Sequence, residues 1–380
     1  MCASLGAIRQ KPAERPDAIL RRITNCELRI ADRGPSPDTL PFVKAPLVYT
    51  HEACLLHDAG HGHPERPARL EAAVRGARRW GGAIDLRNAP RATEDDLALV
   101  HDPAYIDAIA QICADGGGSL DQDTSVVEDS WEAALRAAGA GIAAAAAIQE
   151  GDSRIAFLAV RPPGHHAHTA RALGFCLFNN IAVLAERLTR QGARVAIVDW
   201  DVHHGDGTQD TFNNRGDVLY VSLHEFPFYP GSGWVDEVGI GEGTGHTVNI
   251  ALPPGTRGDA FDAAFTRIVV PVLSEFAPDW ILVSAGYDAH RSDPLADLEL
   301  EADDYGRMSG HLSRFDLPVV VFLEGGYHLE AIEASVAATL AGLAGAMPEA
   351  SVGSPERAHQ MVDLAAEVAA AHWSGVRALG

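Results

Sequence analysis

Short apolar runs alternate with stretches of helical spacing along most of the chain. Five runs have the length and composition of strands that are buried in the middle of a parallel sheet: 155–160, 195–200, 218–223, 280–284 and 318–323. Helical spacing lies between and around them, over 95–112, 130–149, 179–190, 259–276, 303–314 and 329–343. Asp259 and Asp303 would cap their helices. The alternation predicts an α/β fold, a single three-layer domain with a mostly parallel central sheet flanked by helices.

The first 45 residues are polar, interrupted by prolines and without a steady period. We expect an N-terminal extension, partly irregular, over 1–45 and one folded domain over 46–380. No apolar run approaches the roughly 20 residues that span a bilayer, and the N-terminal segment lacks an apolar signal sequence. We therefore expect a soluble, cytoplasmic protein that does not bind membranes.

Composition narrows the class of protein. Five cysteines, an odd number without CxxC spacing, fit reduced cytoplasmic thiols better than a disulfide framework. The formal net charge of −22 argues against direct nucleic acid binding and favours neutral or cationic ligands, such as lysine-containing peptides or polyamines. The sequence leaves open whether the chain forms a homo-oligomer.

Reactive side chains follow the predicted strands directly. In open α/β sheets, ligands bind beyond the carboxyl ends of the strands, so these positions would meet at one edge. In chain order they are the tandem His165 and His166, then Asp199, Asp201, His203 and Asp206, then Ser222 to His224, then Asp288, and finally Tyr327. Isolated charges are costly to bury, so such a cluster has to pair with itself, with a metal or with water.

Three of these residues predict a metal site. Two residues apart in an extended segment, Asp201 and His203 would point the same way, and Asp288 would complete the set. Three protein ligands leave one position open, as in a catalytic zinc site. Two carboxylates with one imidazole also suit Fe(II) or Mn(II), so the identity of the metal stays open. The alternative for Asp201 and His203 alone is a capped loop with solvated charges.

The same edge offers groups for acid–base chemistry. A histidine of the tandem pair would take a proton from water, and Tyr327, after two glycines, would donate a hydrogen bond to the developing oxyanion. Asp199 and Asp206 would each orient a histidine through Nδ1. The alternatives are a surface loop for the histidine pair and an ordinary core position for Tyr327.

Together the motifs RPPGHHA, VDWDVHHGDGTQ, VSLHE, SAGYDAH and EGGY, in this order, resemble the zinc-dependent histone deacetylase superfamily. That superfamily includes bacterial class II-like deacetylases and acetylpolyamine amidohydrolases, and the resemblance covers about 46–345. It implies an arginase/deacetylase-like fold. It also implies the following roles: Asp201, His203 and Asp288 as zinc ligands, His166 as principal general base, His165 as its electrostatic partner or acid, Tyr327 as carbonyl polariser, and Asp199 and Asp206 as the acids behind the histidines.

The resemblance implies cation and substrate sites as well. An inner structural potassium would be held by Asp199, Asp201, His203, Ser222 and Leu223, and an outer one by carbonyls of Phe212, Arg215 and Val218. An acyl-lysine tunnel would be walled by Gly174, Phe175 and Tyr229, with Leu295 at its rim and Arg69 beside the acetate exit. The alternative for Arg69 is a surface charge at the start of a helix.

These observations predict a zinc-dependent amidohydrolase that removes acetyl or related acyl groups from lysine side chains or similar amines. Tyr229 stands where many members of the superfamily have phenylalanine, which leaves the acyl preference open. Leu295 stands where polyamine specialists often place an acid, which favours lysine substrates. The alternatives are an acetylpolyamine amidohydrolase, an arginase-type ureohydrolase with two metals, and a catalytically silent acyl-lysine-binding protein.

Overall fold

The computed structural model describes residues 44–377. The predicted extension over 1–45 therefore lies almost wholly outside the described residues. In chain order the elements are β1 (Leu47–Thr50), α1 (Ala53–Leu56), α2 (Ala68–Arg79), β2 (Asp85–Asn88), α3 (Glu94–Leu97), α4 (Pro103–Ala114), β3 (Gly117–Ser119), β4 (Ser125–Val127), α5 (Ser130–Gln149), β5 (Ile155–Leu158), α6 (Asn180–Thr189), β6 (Val195–Asp199), α7 (Asp206–Phe212), β7 (Val218–Glu225), β8 (Thr247–Leu252), α8 (Gly258–Ala264), α9 (Val270–Phe276), β9 (Trp280–Ala285), α10 (Ala302–Ser313), β10 (Val319–Leu323), α11 (Leu329–Leu343) and α12 (Glu356–Ala370).

Eight strands form one parallel sheet in the order β2-β1-β5-β10-β9-β6-β7-β8, and β3 and β4 form a separate antiparallel hairpin. The five predicted strands occupy the contiguous centre of the sheet, and every residue of these five is buried. The predicted fold class is confirmed. The sequence interpretation left out β1, β2 and β8, which complete the two sides of the sheet.

Helices flank the sheet in two packed groups. One contains α2, α10 and α11, with α8 and α12 against them, and the other contains α1, α5 and α6. Small residues let α5 approach the core closely: a Cβ on Gly141 would lie 2.9 Å from the Phe322 ring of β10. Dense packing of this kind holds the carboxyl ends of the central strands in fixed positions.

Two predicted helices are interrupted, and the reasons are local. The stretch 95–112 divides into α3 and α4 because Asp102 adopts an extended conformation before Pro103 and caps α4 through the N–H of Ala104. The stretch 259–276 contains a π-helical turn over Phe265–Val269, directly before α9. Pro271 has no N–H to continue an α-helical ladder, which accounts for the wider turn.

The predicted caps Asp259 and Asp303 are wrong. The N-cap positions of α8 and α10 are Arg257 and Glu301, so each helix begins before the expected residue. Asp259 instead accepts hydrogen bonds from the N–H groups of Ala260 and Gly353, which ties α8 to the segment before α12.

Within the described range 44–377, no helix is both long enough and apolar enough to cross a membrane. Three cysteines of this range, Cys54, Cys113 and Cys176, are buried free thiols. Cys2 falls outside it, as does Cys26.

Candidate active site

A cleft opens beyond the carboxyl ends of the central strands. It encloses about 440 Å³ of empty space, its open mouth included. The segments after β5, β6 and β10 reach it together with the β3–β4 turn and the loops after β7 and β9. The lining residues are Asp123, Pro163, His165, His166, Gly174, Phe175, His203, Tyr229, Leu295, Gly325 and Tyr327.

The predicted metal ligands lie together at the base of this cleft. One ligand atom from each of Asp201, His203 and Asp288 lies within 4.8 Å of the other two. His203 Nδ1 is 3.1 Å from Asp201 Oδ1 and 3.4 Å from Asp288 Oδ2. The local geometry differs from the expected one, because β6 ends at Asp199 and residues 201–203 form a bend rather than an extended segment.

These three residues fit a zinc ion. Ligand atoms at about 2.0–2.1 Å from a tetrahedral zinc stand roughly 3.3 Å apart, close to the two distances measured from His203 Nδ1. Asp288 Oδ2 is buried and has no hydrogen-bond partner, which is unusual for a carboxylate oxygen unless a cation approaches it. Burial disfavours a charged imidazole, but the carboxylates of Asp201 and Asp288 raise the pKa of His203 to about 10. The cluster therefore favours a positive charge at this point, carried by a proton or by a metal ion.

Backbone groups and glycines orient the two ligand carboxylates. The N–H of Gly325 donates to Asp201 Oδ2 over 2.7 Å, and the N–H of Val202 donates to Asp288 Oδ1 over 3.0 Å. A Cβ on Gly325 would lie 2.0 Å from Asp288 Oδ2, and a Cβ on Gly286 would lie 2.1 Å from Asp201 Oδ2. The loops after β9 and β10 can pack this closely on the carboxylates only where they carry glycine.

Each histidine of the tandem pair contacts its own aspartate. His165 Nδ1 is 3.1 Å from Asp199 Oδ2, and His166 Nδ1 is 2.8 Å from Asp206 Oδ1. Glu324, at the end of β10, accepts from the N–H of His165 and so fixes the loop. Since Nδ1 of His166 faces a carboxylate and the ring lines the cleft, Nε2 is the nitrogen available to a substrate.

The two rings differ in their electrostatic environment. Burial and the nearby charge of His165 lower the pKa of His166 to about 3, so its imidazole is neutral at pH 7 and has a free nitrogen that can accept a proton. Burial acts the same way on His165, but Asp201 and Asp199 outweigh it and raise its pKa well above the ordinary value. Neighbouring groups with pKa values moved in opposite directions are typical of acid–base sites.

Tyr327 faces the same cleft from the loop after β10. Its backbone N–H donates to Asp293 Oδ2 over 2.6 Å, and its ring contacts Phe175 edge-on at 6.0 Å between centroids. Burial and the carboxylate of Asp288 raise the pKa of the phenol well above 10, so the hydroxyl keeps its proton and can act as a donor.

Arg69 is fully buried, so the alternative that it is a surface charge is wrong. Its guanidinium lies 5.0 Å from the centre of the Tyr327 ring and donates to the carbonyl oxygens of Glu324 and Gly326, which precede Tyr327 in the same loop. Glu65 pairs with Arg69 at 2.8 Å and also with Arg161, and all three side chains are fully buried. This buried network supports the Tyr327 loop from behind.

The other residues expected at the substrate site also reach the cleft. Gly174 and Phe175 adopt positive φ angles of 54° and 67°, and a Cβ on Gly174 would lie 2.4 Å from the His166 ring. Tyr229 is 37% exposed, but its ring lies edge-on to that of His166 with 5.3 Å between centroids, so it forms part of the cleft wall. Leu295 is 36% exposed and lies at the mouth. The cleft thus has an aromatic wall and a partly apolar rim.

The residues expected to hold potassium lie in β6, α7, β7 and the loops that join these elements. Asp199 and Ser222 are register neighbours on β6 and β7, and Leu223 follows Ser222. Phe212 ends α7, and its carbonyl accepts from the N–H of Arg215 over 3.0 Å. Val218 begins β7. Potassium binding at either place stays a prediction.

Sequence reasoning missed Glu65 and Glu324, described above, and three further residues at or near the cleft. Asp123 lines it from the turn between β3 and β4, a hairpin outside the main sheet. Phe228 stacks on His203 with 5.3 Å between ring centroids, and His168 contacts Asp206. His168 carried a signal, since it follows the tandem histidines in GHHAH, and Phe228 is the neighbour of Tyr229 in the loop after β7. Asp123 does not follow a predicted strand.

Comparison with known proteins agrees with this geometry. The family described as "Histone deacetylase domain" matches residues 63–343, so the chain belongs to the histone deacetylase family. A histone deacetylase-like amidohydrolase of Pseudomonas aeruginosa is 40% identical over 71% of this chain and 73% of its own length. An acetylpolyamine amidohydrolase of Burkholderia pseudomallei is 43% identical over 57% of this chain and 63% of its own length. The crystal structure of the HDA15 HD domain superposes with a TM-score of 0.82 at 37% identity, covering 87% of this chain and 96% of that one.

Proposed function

We propose that the protein is a zinc-dependent deacylase that hydrolyses the amide bond of acyl-lysine side chains. Membership of a family of deacetylases and amidohydrolases supports hydrolysis of such bonds. The observation that carries the proposal is the meeting of the Asp201, His203 and Asp288 cluster with neutral His166 and protonated Tyr327 in one cleft.

The side chains would divide the work as follows. A zinc ion on Asp201, His203 and Asp288 would polarise the carbonyl and lower the pKa of a water molecule to about 7. His166 Nε2 takes the proton of the attacking water, with Nδ1–H held by Asp206. Tyr327 donates a hydrogen bond to the carbonyl oxygen as negative charge develops there.

His165 has a different part in the proposal. Its ring carries positive charge between Asp199 and Asp201, beside the reacting atoms. That charge stabilises the developing anion, or the ring gives its proton to the leaving amine. Fe(II) stays open as an alternative metal because two of the three ligands are carboxylates. Structural potassium at the inner and outer sites is part of the same proposal.

The rim supports lysine side chains as the substrate class over polyamines. Leu295 and Tyr229 place apolar surface at the mouth, along which the butyl chain of a lysine would pack. Asp123 is the carboxylate among the lining residues, and it suits an amide N–H of a peptide or the distal ammonium of an acetylated polyamine. Acetylpolyamine hydrolysis therefore remains the second candidate, supported by Asp123 and by the relative that carries that name.

Two other classes of protein, a ureohydrolase and a silent acyl-lysine binder, would have different features at the site. An arginase-type ureohydrolase needs two adjacent metals, whereas one three-residue cluster is found among residues 44–377. A silent acyl-lysine binder would retain the cleft without its reactive groups, whereas His166 and Tyr327 both line it. We further propose a reducing compartment such as the cytoplasm, supported by the free thiols of Cys54, Cys113 and Cys176.

Release of the acyl group as its carboxylic acid, which is acetate for the acetylated substrates, tests the proposal directly. Zinc-loaded protein would be given acetyl-lysine peptides, longer acyl-lysines and acetylated polyamines, alongside the variants His166→Ala and His359→Gln. We expect the lysine peptides to be the best substrates, and turnover to fall by about 10²–10⁴ in His166→Ala. His359 on α12, whose side chain is 44% exposed and which does not line the cleft, serves as the matched control. Undiminished turnover in His166→Ala would remove the assigned base, and binding of acetylated peptide without release of acetate would favour the silent binder.

A further inference from the structure

A row of hydrogen bonds leads from the proposed base to the protein surface. His166 Nδ1 is 2.8 Å from Asp206 Oδ1, and the other oxygen, Oδ2, is 2.9 Å from His168 Nε2. His168 Nδ1 is in turn 2.7 Å from Asp210 Oδ2, on a side chain that is 61% exposed. The side-chain hydrogen bonds that Asp206 makes in the described part of the chain go to these two histidines.

The two histidines must differ in charge. Each ring nitrogen of His168 faces a carboxylate oxygen, and a carboxylate can only accept, so both nitrogens have to donate and the ring is an imidazolium. Its hydrogen bonds to Asp206 and Asp210 raise its pKa to about 9. Arg171 also brings Nη2 to 2.8 Å from Nε2, but its side chain is exposed and can turn into water.

This arrangement restrains Asp206 at both oxygens. A carboxylate bound on one side only can rotate and exchange its oxygens, whereas one that is held on both sides presents a fixed acceptor. The fixed acceptor selects the His166 tautomer with the proton on Nδ1 and leaves Nε2 free toward the cleft. The positive charge of His168 also balances Asp206, so the pair places little net charge behind His166.

We propose that His168 is a positioning residue of the deacylation site, whose imidazolium holds Asp206 and thereby fixes the His166 tautomer. The inference rests on the proposed function for its catalytic consequence, but the tautomer of His166 can be observed without turnover. His168 lies outside the cleft lining, so it acts through Asp206 and not on the substrate.

The test compares full-length, zinc-loaded wild type with His168→Gln, His168→Lys and the distant control His359→Gln. Glutamine keeps one donor and removes the charge, whereas lysine keeps a charged donor. We expect His168→Gln to lower kcat about tenfold, with KM and zinc content unchanged. Loss of a residue that orients a catalytic group typically lowers activity by about 10- to 100-fold, and tenfold is the lower end of that range. His168→Lys and His359→Gln should retain turnover close to wild type.

Nitrogen NMR of selectively labelled histidine supplies a readout that does not depend on activity. Wild type and His168→Lys should show His166, assigned with His166→Ala, as a single neutral tautomer protonated at Nδ1. His168→Gln should show a mixture of the two neutral His166 tautomers.

An unchanged His166 tautomer in His168→Gln would overturn the proposal, as would equal loss of turnover in the glutamine and lysine variants. If the glutamine variant does not fold, the lysine variant decides: wild-type tautomer and turnover support the proposal, and their loss overturns it. Failure of wild type to release acetate would instead refute the proposed function.

Discussion

The proposed role of Tyr327 depends on a single atom, the oxygen of its phenol hydroxyl. Its ring is fixed by Phe175 and Arg69, and its backbone by Asp293, so removal of the hydroxyl should leave the fold intact. We expect Tyr327→Phe to lower turnover by about 10²–10³, the usual cost of losing one donor to an oxyanion. Steady-state kinetics with thermal melting would check this result. Turnover within twofold of wild type would mean that another group polarises the carbonyl.

Glu65 is a fully buried carboxylate that pairs with two buried arginines, Arg69 and Arg161. Burial alone would raise its pKa, but Arg161 and Arg69 outweigh burial and lower it to about 2. Removing one partner of a buried ion pair typically costs about 3–5 kcal/mol, so Glu65→Gln should lower the free energy of unfolding by that order at pH 7.

The dependence of this effect on pH has a definite sign. Because the folded pKa of Glu65 lies below its unfolded value of 4.5, the stabilisation is fully present above about pH 4.5. It is lost as the pH falls toward 2. Urea unfolding at pH 7 and pH 3 should therefore show a smaller difference between wild type and Glu65→Gln at the lower pH. Glu330→Gln, at an exposed position, is the control; equal stability of the two variants at pH 7 would contradict the account.

At the scale of elements, the loop after β10 joins the proposed metal site to Tyr327. Gly325 has no room for a side chain, since a Cβ would overlap the carboxylate of Asp288 and come within 2.6 Å of Asp201 Oδ2. We expect Gly325→Ala to lower zinc affinity by at least tenfold, in the range seen when groups that orient ligands are changed. In Gly118→Ala of β3, the nearest contact of the new Cβ would be 3.7 Å, so zinc affinity should not change. Equal zinc affinity in the two variants would show that the loop can shift without affecting the cluster.

The elements also show what a sequence can and cannot predict. The five central strands were predictable because they contain short runs of apolar residues such as 195–198, and the residues at their carboxyl ends could be assigned to one edge. Strand β2 is only partly buried, so its sequence, DLRN, lacks that signal. The π-helical turn before Pro271 could have been predicted, because a proline inside a helical pattern indicates an irregularity in the helix.

Contacts between segments that are distant in the sequence could not be predicted from local patterns. Asp123 reaches the cleft from a short hairpin, and Arg69 reaches Tyr327 across more than 250 residues of sequence, as its bond to the Gly326 carbonyl shows. No local period specifies such contacts, because they depend on how the helices and loops pack on the sheet. Resemblance to a family supplied Arg69, and only the structure supplied its burial and its partners.

At the scale of the whole molecule, metal binding should be coupled to stability. The proposed ligands Asp201 and Asp288 come from segments that follow β6 and β9, so a bound ion would join parts of the chain that separate on unfolding. Zinc at 100 times its Kd should stabilise the fold by about 2.7 kcal/mol. Chelation should therefore lower Tm and added zinc restore it, whereas Asp288→Asn should respond to neither treatment. A Tm of wild type that is insensitive to chelation and to zinc would contradict this coupling.

The claim at the centre of this account is that one metal ion, held by Asp201, His203 and Asp288, is required for hydrolysis. The direct measurement is a titration of metal-free protein with zinc, recording bound zinc per chain and acetate release from an acetyl-lysine peptide in the same samples. We predict that acetate release rises in proportion to bound zinc and saturates at one ion per chain, and that Asp288→Asn shows neither effect. Full turnover by metal-free protein, or saturation only at two ions per chain, would contradict the account.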